Sequence, residues 1–250
     1  MERSFTRRFG WRHPRGVGAA ALAAALACTA ASSASVVFSG TGYNPEASTT
    51  ASGTALFSVS GGTLSVVLTN TTLPRTTAQG NALTGIVFDV NGSSPSLALT
   101  GIALTSGSEI WTSKTAHNTV NPLAGSWTSV LGSTPLAEYG AATTGFNGAF
   151  NGGSISLGNA SPNYGIVAAG TFDGSNVSFG GSQFPFIQNS VTLTFTGISG
   201  ISESAIANVK FLFGTDGTGV VGGNLIPAPG ALALLGLGGI TLRRRRRAAA

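Results

Sequence analysis

Residues 54–69 carry the pattern that most narrows what this chain can become. Thr54-Ala-Leu-Phe-Ser-Val-Ser60 and Thr63-Leu-Ser-Val-Val-Leu-Thr69 alternate apolar and polar side chains on either side of Gly61-Gly62. A period of two sends successive side chains to opposite faces of a strand. Both positions of a two-residue hairpin turn need positive φ, which glycine takes freely. The stretch therefore predicts a β-hairpin whose second strand points Leu64, Val66 and Leu68 at a core.

Other segments repeat the signal. Leu83–Val90 predicts a strand with Ile86, Phe88 and Val90 inward and Asp89 outward, and Asn91-Gly92 turns it toward a strand over Ser96–Leu104. Val191–Thr196 alternates cleanly, with Val191, Leu193 and Phe195 buried and three threonines exposed. Ala207–Phe213 places Val209, Phe211 and Phe213 on the core. Short strands are expected at Ser35–Phe38, Ile166–Ala168 and Asn176–Phe179, with a loop at Thr41–Ser52 and one loose turn at Ser202–Asn208. Thr105–Gly165 is the least regular part, holding Trp111, Trp127 and Tyr139 among Gly, Asn and Ser. Many short strands, frequent turns and no 3.6-residue period indicate an all-β fold, an antiparallel β-sandwich of jelly-roll-like design. No fixed repeat supports a solenoid.

The formal net charge of +5 belongs to the two ends. Five arginines lie within residues 1–34 and five more are Arg243–Arg247, whereas residues 35–224 hold three basic residues against seven acidic ones, a net of −4. A basic chain invites a nucleic-acid reading, but the acidic middle argues against it. Residues 1–34 read as a signal peptide: an arginine-bearing start, an Ala/Leu stretch over Gly18–Ala31, and small residues Ser32-Ser33-Ala34 before Ser35. Cys28 leaves with that leader, so the exported domain has no cysteine and its own core must hold it together.

The C-terminal end has three zones in order: Pro227-Ala228-Pro229, an uncharged apolar run over Ala231–Leu242, and the cluster Arg243, Arg244, Arg245, Arg246, Arg247. As a helix the twelve apolar residues rise roughly 18 Å against a hydrocarbon core of about 30 Å, short for a settled span. The layout resembles the PEP-CTERM sorting tail of exosortase-dependent bacterial surface proteins, with Ala228 standing where that family's signature has Glu. The resemblance implies an exosortase-type sorting protease as partner, transient anchoring in the inner membrane through the tail, and a destination at the surface or in the matrix of a Gram-negative bacterium. The phrases Gly53–Val59 and Asn208–Thr215 look like those of other tail-sorted proteins with β-rich ectodomains. The expected layout is then a signal peptide at 1–34, an ectodomain at 35–215, a Gly-rich linker at 216–226 and the sorting signal at 227–250.

Catalytic chemistry has little to work with. A Ser-His-Asp arrangement needs a histidine base, and after the leader only His117 remains, which reads as a polar loop residue. One histidine and no cysteine do not make a zinc site. Gly217-x-Gly219-x-x-Gly222 matches a dinucleotide fingerprint, yet no helix and second strand follow it. Asp89, Asn91 and Ser93 offer oxygens at alternate positions as calcium loops do, without the later bidentate Glu. No cofactor and no enzyme activity are expected. The reading is an exported surface or matrix protein with a structural or adhesive role. The alternative is a carbohydrate-binding sandwich that meets extracellular polysaccharide through Trp111, Trp127 and Tyr139; a secreted hydrolase comes third.

Overall fold

The hairpin forms where the alternation places it. β2 (Thr49–Ser60) and β3 (Thr63–Asn70) pair antiparallel through the turn, with Gly61 and Gly62 at φ of 58° and 78°. A computed structural model describes residues 35–120, 125–131, 136–143, 163–173, 179, 184–215 and 218–227. These residues build an all-β, sandwich-like fold of two curled sheets; among them the only helical turns are 3-10 turns such as Gln79–Asn81 and Glu203–Ala205.

The first sheet adds β1 (Ser35–Asn44), β5 (Ala98–Leu104), β12 (Ser190–Thr196) and β15 (Asn224–Ile226) to the hairpin. Its order is β15-β1-β2-β3-β12-β5 and every pair is antiparallel. The second sheet contains β4 (Leu83–Val90), β6 (Glu109–Trp111), β7 (His117–Asn118), β8 (Trp127–Leu131), β9 (Tyr139–Thr143), β10 (Ile166–Val167), β11 (Phe186–Gln188), β13 (Ile206–Phe213) and β14 (Gly219–Gly222). It runs β14-β13-β4-β10-β11-β6-β7, and β9 branches from β4 to carry β8. β10 and β11 are parallel, so the expectation of a purely antiparallel sandwich is corrected at that pair.

Inward side chains of both sheets meet in one core. Phe38 and Phe57 from the first sheet stand edge-on at 5.6 Å, Phe57 meets Phe88 of β4 at 5.3 Å, and Phe88 meets Phe195 of β12 at 5.9 Å. The second and third of these T-shaped contacts cross between the sheets, and each of the three adds about 0.5–1.5 kcal/mol beyond burial. One end of the core is closed by a buried amide network. The Asn70 side-chain amide donates to the carbonyls of Asn81 (2.8 Å) and Ile166 (2.7 Å), and its Oδ1 accepts the Thr72 N–H at 3.0 Å. Asn44 donates to the Asn81 side chain at 3.1 Å. Buried amides need such partners, and here they tie the segment after β3 to the sheet end.

Three expectations change. Thr41–Ser52, read as a loop, is strand except for a turn over Pro45–Ser48, closed by the Ser48 N–H donating to the Pro45 carbonyl at 3.1 Å. The loose turn at Ser202–Asn208 is confined to Glu203–Ala205, and Ile206 already belongs to β13. Most of the expected linker at 216–226 is sheet: β14 pairs β13, and β15 pairs β1. The physical reason is that glycine in this region makes room. A side chain at Gly40 or Gly53 would meet the ring of Phe211, and one at Gly223 would meet Phe211 and Val209. Of the strand expected at Asn176–Phe179, residues 176–178 lie outside the described residues.

Candidate functional site

The three aromatic residues expected to meet glycans are interior. Trp111 is 8 % exposed, Trp127 3 % and Tyr139 7 %. Trp127 and Tyr139 belong to the core between the sheets, and Trp127 Nε1–H donates to the Tyr164 carbonyl at 3.3 Å. Trp111 packs in a separate cluster, its ring 4.9 Å from Phe172 on one contact and 4.5 Å from a stacked His117 on another. Sugar stacking needs a ring face open to water, so the expectation of a three-ring platform is corrected: these rings fill space.

His117 lies half-exposed on β7, where cross-strand pairing sets it opposite Trp111 and Nδ1 comes within 3.0 Å of Glu109 Oε2. Asp89, Asn91 and Ser93 line a cleft of about 400 Å³ that also takes in Glu138. Both Asp89 carboxylate oxygens are engaged, Oδ1 by the Glu138 N–H and Oδ2 by the Asn208 side chain, each at 2.8 Å. The donor set there is two carboxylates and neutral oxygens, and among the described residues no group of three His, Cys, Asp or Glu side chains is placed to hold a metal. Tyr139 beside this cleft has its phenol pKa raised above the usual value by burial, then by Glu138 and Asp89. Of the sorting residues, Pro227 is exposed just after β15; Ala228, Pro229 and Arg243–Arg247 lie outside the described residues.

A different surface stands out once the register is known. The six strands β1, β2, β3, β5, β12 and β15 contain no Asp, Glu, Lys, Arg or His. Apolar side chains of their alternating pattern point into the core, which leaves Ser and Thr on the outside. Pairing aligns them in rows. Ser35, Ser58, Ser65, Thr194 and Gly101 form one; Ile226, Val37, Leu56, Val67, Thr192 and Ala103 the next; Asn224, Ser39, Thr54 and Thr69 a third, which ends at Ser190, a buried residue whose hydroxyl is bonded to Thr105 and Ser108. Strands lie about 4.8 Å apart and same-face residues about 6.7 Å along a strand, so the hydroxyls form a two-dimensional array with one apolar row through it. Among the described residues, the side-chain hydroxyls of Ser39, Thr54, Ser58, Ser65, Thr192 and Thr194 have no hydrogen-bond partner. Each can donate one bond and accept two.

Sequence reasoning saw part of this surface, in the three exposed threonines of β12, and missed the rest. The signal is present: Ser or Thr at every second position of several strands, with no charge in any of them. What single-strand reading lacks is the pairing that turns separate stripes into an area.

Comparison with family models, curated proteins and solved structures finds no match to this chain.

Proposed function

We propose that this chain is an exported surface or extracellular-matrix protein with a structural and adhesive role, a jelly-roll-like sandwich sorted through its tail by an exosortase-type protease. The observation that carries this reading is the register of β15 on β1, which pairs Val37 with Ile226 and Phe38 with Leu225. Ser35, the first residue after the expected leader, and Pro227, the first of the sorting motif, thereby lie at one corner of the six-stranded sheet. Only Pro227–Gly230 separate β15 from the apolar run starting at Ala231, a reach of roughly 17 Å even when fully extended. In this reading the domain stands on that corner close to the membrane until the tail is processed, and its broad faces look outward. The role is non-enzymatic and needs no cofactor or nucleic acid.

Processing makes the reading testable. Five arginines hold the cytoplasmic end of a run too short for a lasting span. Intact-mass measurement of protein extracted from the cell surface is expected to show loss of the tail, Arg243–Arg247 included. Deleting those arginines is expected to release the unprocessed chain into the medium. A surface protein whose mass retains the cluster would mean a permanent anchor and would end the sorting half of the proposal.

The neutral hydroxyl face favours the second reading, a carbohydrate-binding sandwich, over a hydrolase.

A further inference from the structure

We propose that the outer face of the six-stranded sheet is a docking surface for an uncharged polysaccharide chain, held by many hydroxyl contacts across strands and not by stacked rings. This deepens the adhesive reading above and rests on it. Four classes of occupant can be weighed against the same surface.

A polyanion is the first. Binding a charged polymer draws on cations, and the face has none; Arg75, Lys114 and Lys210 all lie off these six strands. A lipid surface is the second. Pressing the array into hydrocarbon would strip water from hydroxyls that have no protein partner to replace it, a cost for each one. A second copy of the chain is the third. Interfaces between proteins concentrate Trp, Tyr, Phe, Met and Arg at their centres and are depleted of Ser, and hot spots are also poor in Thr and Val. The centre of this face is Leu56, Val67, Thr54, Ser65 and Thr192.

A neutral polysaccharide is the fourth, and it fits the chemistry. Its hydroxyls both donate and accept, as do the free hydroxyls of Thr54, Ser65 and Thr192. Its rings also carry C–H faces, which suit the apolar row of Val37, Leu56 and Val67 between the two hydroxyl rows. Absence of charge on both partners avoids desolvating an ion. A flat array of many weak contacts predicts binding that grows with polymer length, because each added sugar meets another row at high effective concentration.

The test is co-sedimentation of the full chain with beads of cellulose and of cross-linked dextran. A polyoxyethylene detergent avoids a sugar headgroup, and salt at about 0.5 M screens the arginine tail. Retention is expected on at least one of the two, with competition by its soluble oligomers that strengthens at least tenfold from short to long chains. Thr54→Arg and Thr192→Arg, which place a bulky cation in the array, are each expected to weaken retention at least tenfold. Thr54→Val and Thr192→Val keep shape and strand preference and are expected to weaken it about threefold, which covers the case of an arginine variant that does not fold. Lys114→Glu, away from the face, is expected to stay within twofold of the parent. No retention on either polymer, or retention indifferent to all four face variants, overturns the proposal. So does sedimentation velocity showing a dimer that the arginine variants split, since the face would then bind a second copy. Neutral phosphatidylcholine vesicles that capture the parent and not the variants would assign the face to lipid. The bead assay does not depend on processing, so its failure leaves the sorting proposal standing, and a retained tail leaves this one standing.

Discussion

The two sheets of this protein solve different problems with similar strands. The six-stranded sheet has few, mostly long strands, up to twelve residues in β2, all antiparallel and without a charged side chain. The nine-stranded sheet has five strands of four residues or fewer, a branch at β4, one parallel pair and two register shifts between β4 and β13. It also carries Asp89, Glu109, His117 and Lys210. Regular alternation in the first sheet yields one dry face and one uncharged outer face of hydroxyl rows with an apolar row between them. The second packs on both faces at β4, where Val87 and Leu212 lie under Leu136 and Ala137 on the side away from the main core. One sheet is built as a surface and the other as the support that holds it.

Breaking the contact between them should cost most. Phe88→Ala removes the ring that links Phe57 to Phe195 across the core and is expected to destabilise the domain by about 3–5 kcal/mol in urea unfolding. Because both sheets share that ring, circular dichroism and tryptophan fluorescence should lose their signals together; two separate transitions would show that the sheets unfold independently. Next comes the amide network at the sheet end. Asn70→Ala leaves the Asn81 and Ile166 carbonyls and the Thr72 N–H buried without their partner, and a loss of about 3 kcal/mol is expected. An effect under about 1 kcal/mol would mean that water replaces the amide.

In the nine-stranded sheet, Gly140→Ala tests how tightly β9 is held against β4. A Cβ there would run into the Ile86 carbonyl and the Val87 side chain, so a cost of about 1–3 kcal/mol is expected from crowding alone. At Gly61 the added methyl meets nothing within 4 Å and only the positive φ opposes it, so Gly61→Ala should cost about 1 kcal/mol. Equal losses at the two positions would contradict this distinction. The smallest effect concerns alkaline pH. The folded Tyr139 phenol holds its proton more tightly than the unfolded one, because burial and then Glu138 and Asp89 disfavour the phenolate. Its contribution is fully present below the unfolded value of about 10 and is lost as pH rises beyond it. Denaturant midpoints of the parent should therefore fall above pH 10, and those of Tyr139→Phe should fall less.

How much could be read beforehand follows the same division. β3, β4, β12 and β13 were legible because large apolar residues mark every second position: Leu64, Val66 and Leu68, or Val209, Phe211 and Phe213. The far half of β1 was hidden because Gly40 and Gly42 stand where the alternation would show, and they stand there to admit Phe211 and Val221; β14, four residues with glycine at each end, and β15, three residues long, are too short to show a period. Trp111, Trp127 and Tyr139 were misplaced for another reason. An aromatic residue in an irregular segment has no period to say whether it faces in, and only the assembled sheets bury it. The hydroxyl face was present as composition and absent as geometry until register joined the strands.

The pairing of β15 with β1 also imposes a schedule on assembly. Residues 37 and 226 are neighbours in the sheet but lie at opposite ends of the described chain. Contacts this distant in sequence form late, since loop closure must come before they reward it. A chain emerging from its N-terminus therefore exposes the outer side of β1 for as long as the rest is being delivered. Only when Ile226 has arrived can that edge be covered, so completion of this sheet reports that nearly two hundred intervening residues are already through. A chain stopped before Asn224 would lack that report and keep an open edge, whatever the state of its core.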